Sequence, residues 1–187
     1  MYDAPRGAQV REKGRREKDV IPSIRVDDRL IHGQVALVWS KELSCPRIVV
    51  ANDDAAVNDV TKMTLQMATP TGIKLLIKSV DDCIKVFNDP RAKDMRMFVL
   101  TNNVADALKI VKSCPGLVES VNVANAGRFD DTDKSLMVQV TPQCILSPNE
   151  LEALRELNDQ QGVSVYGQVI PTDPKTPASK MLAVAQS

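Results

Sequence analysis

The chain has one histidine, one tryptophan, two tyrosines and three phenylalanines in 187 residues. Aromatics this scarce, with a formal net charge of zero, leave neither base stacking nor a global basic field to hold a nucleic acid. No nucleic-acid partner is therefore expected. No apolar run approaches the ~20 residues of a membrane span, and no signal-peptide core lies near the start, so a cytoplasmic protein is expected. The four cysteines, Cys45, Cys83, Cys114 and Cys144, include no CxxC pair. With a single histidine they offer no zinc site of usual spacing, and no metal is expected. A cytosolic chain with a full core has no need of disulfides, so free, mostly buried thiols are expected. Neither GxGxxG nor GxxxxGK followed by Ser or Thr occurs, which argues against a nucleotide-binding protein. No cofactor is expected.

What is there gathers at Arg25-Val-Asp-Asp-Arg-Leu-Ile-His-Gly-Gln34. The stretch follows the first core-like strand and holds the single histidine, His32. Arg25, Asp27, Asp28 and Arg29 lie within seven residues of it, and Gly33 opens an amphipathic run to Leu43. A lone histidine reads by default as a surface loop residue. Fixed charges and a strand-to-helix junction argue instead for chemistry on an anion, because helix starts offer free N–H groups and a positive dipole end.

The chain divides at residue 20. Residues 1–20 carry six basic and four acidic groups with few large apolar ones. Such a segment buries too little to offset its ordering entropy, so a disordered arm, linker or cloning remnant is expected, with one domain over 21–187. Strands are expected at 21–26, 47–51, 73–77, 97–100, 118–123, 136–141 and 163–170. Helices are expected at 33–43, 55–68, from Ser79 to Phe87, 104–112 and from Ser147 to about 160, with a frayed one after Thr176-Pro177. Asp54 is read as a helix cap, Ser147 with Glu150 as a capping box. Val35, Leu37, Val38, Trp39, Met63, Leu65 and Met67 are read as core. Strands alternating with helices predict an α/β fold: one open, doubly wound, mainly parallel seven-stranded sheet with helices on both faces.

The run from Asp27 to Val35, DDRLIHGQV, resembles the active-site segment of the mannose/fructose/sorbose family of IIB components of the bacterial sugar phosphotransferase system (PTS). The likeness continues through Val35-Ala-Leu-Val-Trp39, Arg47-Ile-Val-Val50, Leu100-Thr-Asn102, Ser120-Val-Asn-Val123 and Val169-Ile-Pro-Thr-Asp173. Where the family usually shows a glycine-rich NVGGM-like run, this chain reads Asn122-Val-Ala-Asn-Ala-Gly-Arg128.

The resemblance implies that His32 accepts a phosphoryl group on Nδ1 from a phosphohistidine on a IIA partner. It then passes the group to a sugar held by membrane components IIC and IID, placing a cytoplasmic protein at the membrane through that complex. No metal is needed. The residues supply chemical reasons for the expected roles. A neutral imidazole nitrogen is a nucleophile, and Arg29 offers a fork to phosphate oxygens. Asp27 or Asp28 can accept from the other ring nitrogen. Arg25, Asp28 and Gly33 are candidates around the phosphate. A regulatory or binding protein of the same fold is the alternative from another class. A cysteine-phosphorylated IIB fits poorly, since no cysteine follows the first strand.

Overall fold

A computed structural model describes residues 20–33 and 35–185. The arm expected over residues 1–20 lies outside these except for Val20, whose carbonyl accepts from the Met97 N–H at 2.8 Å.

Five strands form a parallel core: β1 (Ser23–Asp27), β2 (Arg47–Ala51), β3 (Lys74–Lys78), β4 (Phe98–Thr101) and β5 (Ser120–Asn125). With β8 (Ser164–Gly167) and β9 (Thr176–Pro177) they make a seven-stranded sheet in the order β3-β2-β4-β1-β5-β8-β9. All neighbours are parallel except β8 and β9. The sequence run expected as a sixth sheet strand instead forms β6 (Val138–Thr141). It pairs antiparallel with a strand not anticipated, β7 (Cys144–Leu146), in a separate ribbon.

Strand residues alternate between two cores because the sheet is covered on both faces. Ile24, Val26, Val49, Ala51 and Val99 join one apolar cluster. Ile48, Val50, Phe98 and Leu100 join the other. The first is completed by α4 (Val80–Phe87), α5 (Val104–Ser113), α6 (Pro148–Asn158) and α7 (Ala178–Val184). The second is completed by Val35 and Trp39 and by α2 (Asp53–Val57) and α3 (Asp59–Ala68). On the central strand β1, alternation turns the buried polar residues Ser23, Arg25 and Asp27 to one face.

Several local expectations change. The helix expected at 33–43 is a π-helical turn (Val35–Trp39) running into a short α1 (Ser40–Glu42), with Leu37 and Val38 exposed. The helix expected at 55–68 is broken, because Asn58 is extended and caps α3 through its side chain. Asn52, not Asp54, caps α2. Glu150 does not close a box with Ser147. It reaches to the start of α5 and accepts from the Val104 and Ala105 N–H groups. On α3, Leu65 alone is buried, while Met63 and Met67 face solvent. The terminal helix buries Ala178, Met181 and Leu182.

These placements separate two apolar substitutions. Phe98→Ala, at a site with no exposure, is expected to cost about 3–5 kcal/mol of unfolding free energy. Met67→Ala, where the side chain is 82% exposed, is expected within about 0.5 kcal/mol of the parent. Urea denaturation of the two variants checks the difference, and equal costs would contradict the outward face of α3.

Candidate functional site

The site is built at the carboxyl end of β1, where open α/β sheets place their ligands. Two backbone features create it. After Asp27 the chain turns sharply, the Leu30 N–H donating to the Asp27 carbonyl at 2.9 Å. Leu30 sits at φ 55°, a left-handed conformation costly for a branched residue and typical of functional sites. The turn brings His32 back over β1. The second feature is a register shift between β1 and β5: Val26 faces Val123, but Asp27 faces Asn125. Ala124 is the extra residue of this β-bulge.

Asp27 is the hub. It has no solvent exposure. Its Oδ2 accepts from Arg25 Nε at 3.2 Å and Nη2 at 3.0 Å, and lies 3.1 Å from His32 Nε2. Its Oδ1 accepts from Asn125 Nδ2 and from the Arg29 backbone N–H, both at 3.2 Å. Burial pushes this carboxyl up, but the His32 hydrogen bond, the Arg25 charge and the Asn125 donor outweigh it, holding it at about 2. A carboxylate has no proton to give, so the His32–Asp27 proton resides on Nε2, and in the neutral ring Nδ1 then keeps its lone pair.

Arg25 is 2% exposed. Besides Asp27, its Nη1 donates to the carbonyls of Gln168 and Val169, each at 3.2 Å. The guanidinium lies 5.3 Å from the Trp39 ring centroid, and Trp39 Nε1 donates to the same Val169 carbonyl at 3.0 Å. Burial pulls the Arg25 pKa down while Asp27 opposes it. Four of its five N–H groups are thus engaged inside the protein, and Arg25 supports Asp27 from behind. Arg29 differs: its side chain is 52% exposed, with Nε 3.8 Å from Asp27 Oδ1.

Asp28 points to the altered loop, its oxygens accepting from the Gly127 N–H at 3.2 Å and the Arg128 N–H at 2.9 Å. Burial raises its pKa against those donors. Gly127 is required there: its φ is 88°, and a Cβ would fall 1.6 Å from the Ile145 carbonyl oxygen. Gly33, by contrast, has open space around it. Asp28 also lines a cavity of about 200 Å³ with Asn102, Asn103, Phe129, Asp130 and Glu150. Three carboxylates make that cavity unfavourable for an anion.

Of the residues expected at the site, Asp27, His32, Arg29 and Arg25 meet around one carboxylate, while Asp28 faces the neighbouring loop. Sequence reasoning missed Asn125, Trp39 as a polar partner, and the Gln168–Val169 carbonyls. Only the polar residue closing an apolar strand hinted at Asn125. All four cysteines are free and buried, and burial raises every thiol, to about 12 at Cys83 and about 11 at Cys144. Such thiols are poor nucleophiles. Among the described residues, no group of three or more His, Cys, Asp or Glu is placed to hold a metal ion. No helix there is long and apolar enough to cross a membrane.

Residues 21–187 match the family described as PTS system sorbose subfamily IIB component. The chain belongs to that family. A probable phosphotransferase enzyme IIB component of Streptococcus pyogenes serotype M6 is 55% identical over 163 residues, 87% of this chain and 99% of that one. The mannose-specific EIIAB component of Escherichia coli strain K12 is 33% identical over 92% of this chain and 52% of its own length. The crystal structure of the IIBSor domain of the sorbose permease from Klebsiella pneumoniae has a TM-score of 0.76 at 31% identity. That match covers 89% of this chain and 96% of that one. PTS IIB components are phosphotransferases of sugar uptake, and the α/β sheet described above is that of the sorbose-type IIB structures.

The hub makes stability pH-dependent in a defined sense. The folded carboxyl at about 2 lies below the ordinary ~3.9. Its contribution, roughly 2–3 kcal/mol, is complete above pH ~4 and is lost as the pH falls toward 2. Asp27→Asn is expected to cost about 3–5 kcal/mol at pH 7, because the buried Arg25 loses its counterion. That gap to the parent should narrow between pH 4 and pH 2, as the parent's own carboxyl is protonated. Glu150, raised by burial away from Asp27, shifts stability oppositely in both proteins and cancels in the difference; Asp28, raised mainly by burial and less by the Asp27 charge, cancels only in its burial part. Urea melts at the two pH values measure the gap, and a pH-independent gap would contradict the depressed Asp27.

Proposed function

We propose that His32 is the phosphoryl carrier of this IIB component, with the group on Nδ1. The observation that supports this most directly is the 3.1 Å contact between His32 Nε2 and a buried carboxylate. It fixes the neutral ring with its proton on Nε2 and directs the lone pair to Nδ1. His32 is 23% exposed, open enough for a partner to reach.

The donor is a phosphohistidine on a IIA protein. The mannose-specific relative, named as an EIIAB component and twice the length matched here, supports that pairing. The Nδ1 lone pair attacks phosphorus, the donor N–P bond breaks, and its electron pair returns to the donor imidazole. In the second step a sugar hydroxyl oxygen attacks phosphorus, its proton leaves, and Nδ1 recovers its lone pair. The sugar is presented by IIC and IID, which bring this chain to the cytoplasmic face of the membrane. Positioning and charge neutralisation carry such transfers. Asp27 sets the ring, Arg25 sets Asp27, and the exposed Arg29 presents its guanidinium to the phosphoryl oxygens. Gly33, where the structure leaves room for a side chain, contributes through its backbone, and no metal takes part. Residues 21–187 act as the IIB domain, with 1–20 as an appended arm.

Incubation with phosphorylated IIA, followed by intact-protein mass spectrometry, tests the assignment. His32→Ala should fold and accept nothing, since the chain has no second histidine. Arg29→Lys should slow transfer, and Arg29→Ala should slow it further, by roughly 10²-fold. The label should be acid-labile. An acid-stable label, or His32→Ala labelled at the parent rate, would end this mechanism.

A further inference from the structure

We propose that Asn125 is a positioning residue for phosphoryl transfer, acting through Asp27 on the tautomer of His32. This rests on the reading that His32 is the carrier. A carboxylate on an sp² centre has a broad terminal torsion and turns readily unless both oxygens are held. In Asp27 the two oxygens are divided between different tasks. Oδ2 serves Arg25 and His32. Oδ1 is held by Asn125 Nδ2 and the Arg29 N–H. The carboxamide is therefore the only side-chain hydrogen-bond donor recorded on Oδ1 among the described residues.

The backbone is shaped to deliver it. In unbroken register Ala124 would face Asp27 and offer only a methyl group. The register shift skips Ala124 and brings Asn125 opposite instead. The Asn125 carbonyl then accepts the Asp28 N–H at 2.9 Å, tying the bulge to the residue after the hub. Asn125 is itself buried, so its amide faces the carboxylate without competition from water. With Oδ1 held, the carboxylate plane is fixed and Oδ2 meets Nε2. Without the amide Oδ1 keeps only the Arg29 N–H, the plane is held less firmly, the Nε2 hydrogen bond weakens, and the ring samples the tautomer whose proton blocks Nδ1.

The test uses the full chain, resting and in transfer. Asn125→Leu keeps the branching at Cγ and removes the donor; Asn125→Ala is the second variant and adds no bulk. ¹⁵N NMR of the unphosphorylated protein reports the His32 tautomer without any transfer step. The parent should show the proton on Nε2, and the variants a mixture. With phosphorylated IIA as donor, the maximal transfer rate should fall about tenfold, the scale of one hydrogen bond to a charged group. The KM for the donor should not move, because Asn125 is buried and offers a partner no surface. Folded variants that keep a single Nε2-protonated tautomer and the parent rate would overturn the proposal. So would the unfolding of both variants, which would make Asn125 a structural residue. If the parent fails to label at His32, the carrier reading falls, while the tautomer comparison still decides what Asn125 does to the ring.

Discussion

A carboxylate withdrawn from water must find donors for both oxygens, and Asp27 finds them from five groups on three parts of the chain. Its burial alone would drive it toward the neutral form, in which it would no longer orient His32 as an acceptor. The donors reverse that. They come from the strand itself (Arg25), from the turn it starts (Arg29, His32) and from the neighbouring strand (Asn125). The site therefore exists only when β1, β5 and the turn are assembled together. Arg25 depends on it in turn: a guanidinium at 2% exposure is tolerable because Asp27 supplies its counterion. The Gln168–Val169 carbonyls and the Trp39 face take up what remains.

The fold explains why this hub is rigid. β1 is flanked by parallel neighbours on both sides, and both its faces are covered. Its charged residues share one face while Ile24 and Val26 anchor the other in the larger core. Exposure is left to the rim. Arg29, Leu37 and Val38 are exposed around a histidine that is half-buried. Within the site the strained residue is the left-handed Leu30, and it is itself packed into the second core. Burial of its side chain offsets a conformation that a free loop would abandon.

Much of this was legible. The buried parallel strands announce themselves as short apolar runs, and β2 falls where the sequence places it. The segment from Arg25 to His32 stood out because a lone histidine lies among fixed charges at a strand-to-helix junction, and the structure gathers Arg25, Arg29 and His32 around Asp27. The failures are those of pairing and direction. β7 is three residues long, and β9 is two; neither has a period to read. Helical spacing marked Met63 and Met67 as a stripe but carried no sign of which stripe meets the sheet. Glu150 stands at capping-box distance from Ser147, and only the approach of α5 makes its other partner the nearer one. Asn125 was invisible for a related reason. Its contact with Asp27 depends on a register shift between residues 98 apart in the chain, and a bulge leaves no mark on composition.

The division between the two arginines bears on how the site can change charge. In the proposed carrier role, Arg25, Asp27 and Arg29 with a neutral His32 sum to +1 (two positive, one negative), and a phosphoryl group brings about −2. Arg25 cannot respond, because four of its N–H groups are engaged and moving it leaves buried donors without acceptors. Arg29 can. Its guanidinium stands 3.8 Å from Asp27, a distance at which little is lost by leaving. What binds Arg29 to the hub is its backbone N–H on Oδ1, and that bond survives when the side chain swings outward. The carboxylate therefore keeps its orientation, and His32 its tautomer, whichever way the Arg29 guanidinium points. The cavity beyond Asp28, with three carboxylates on its walls, offers an anion no competing place to settle. With one cation fixed for structure and one exposed at the rim, the proposed carrier role needs no change of backbone between the two charge states.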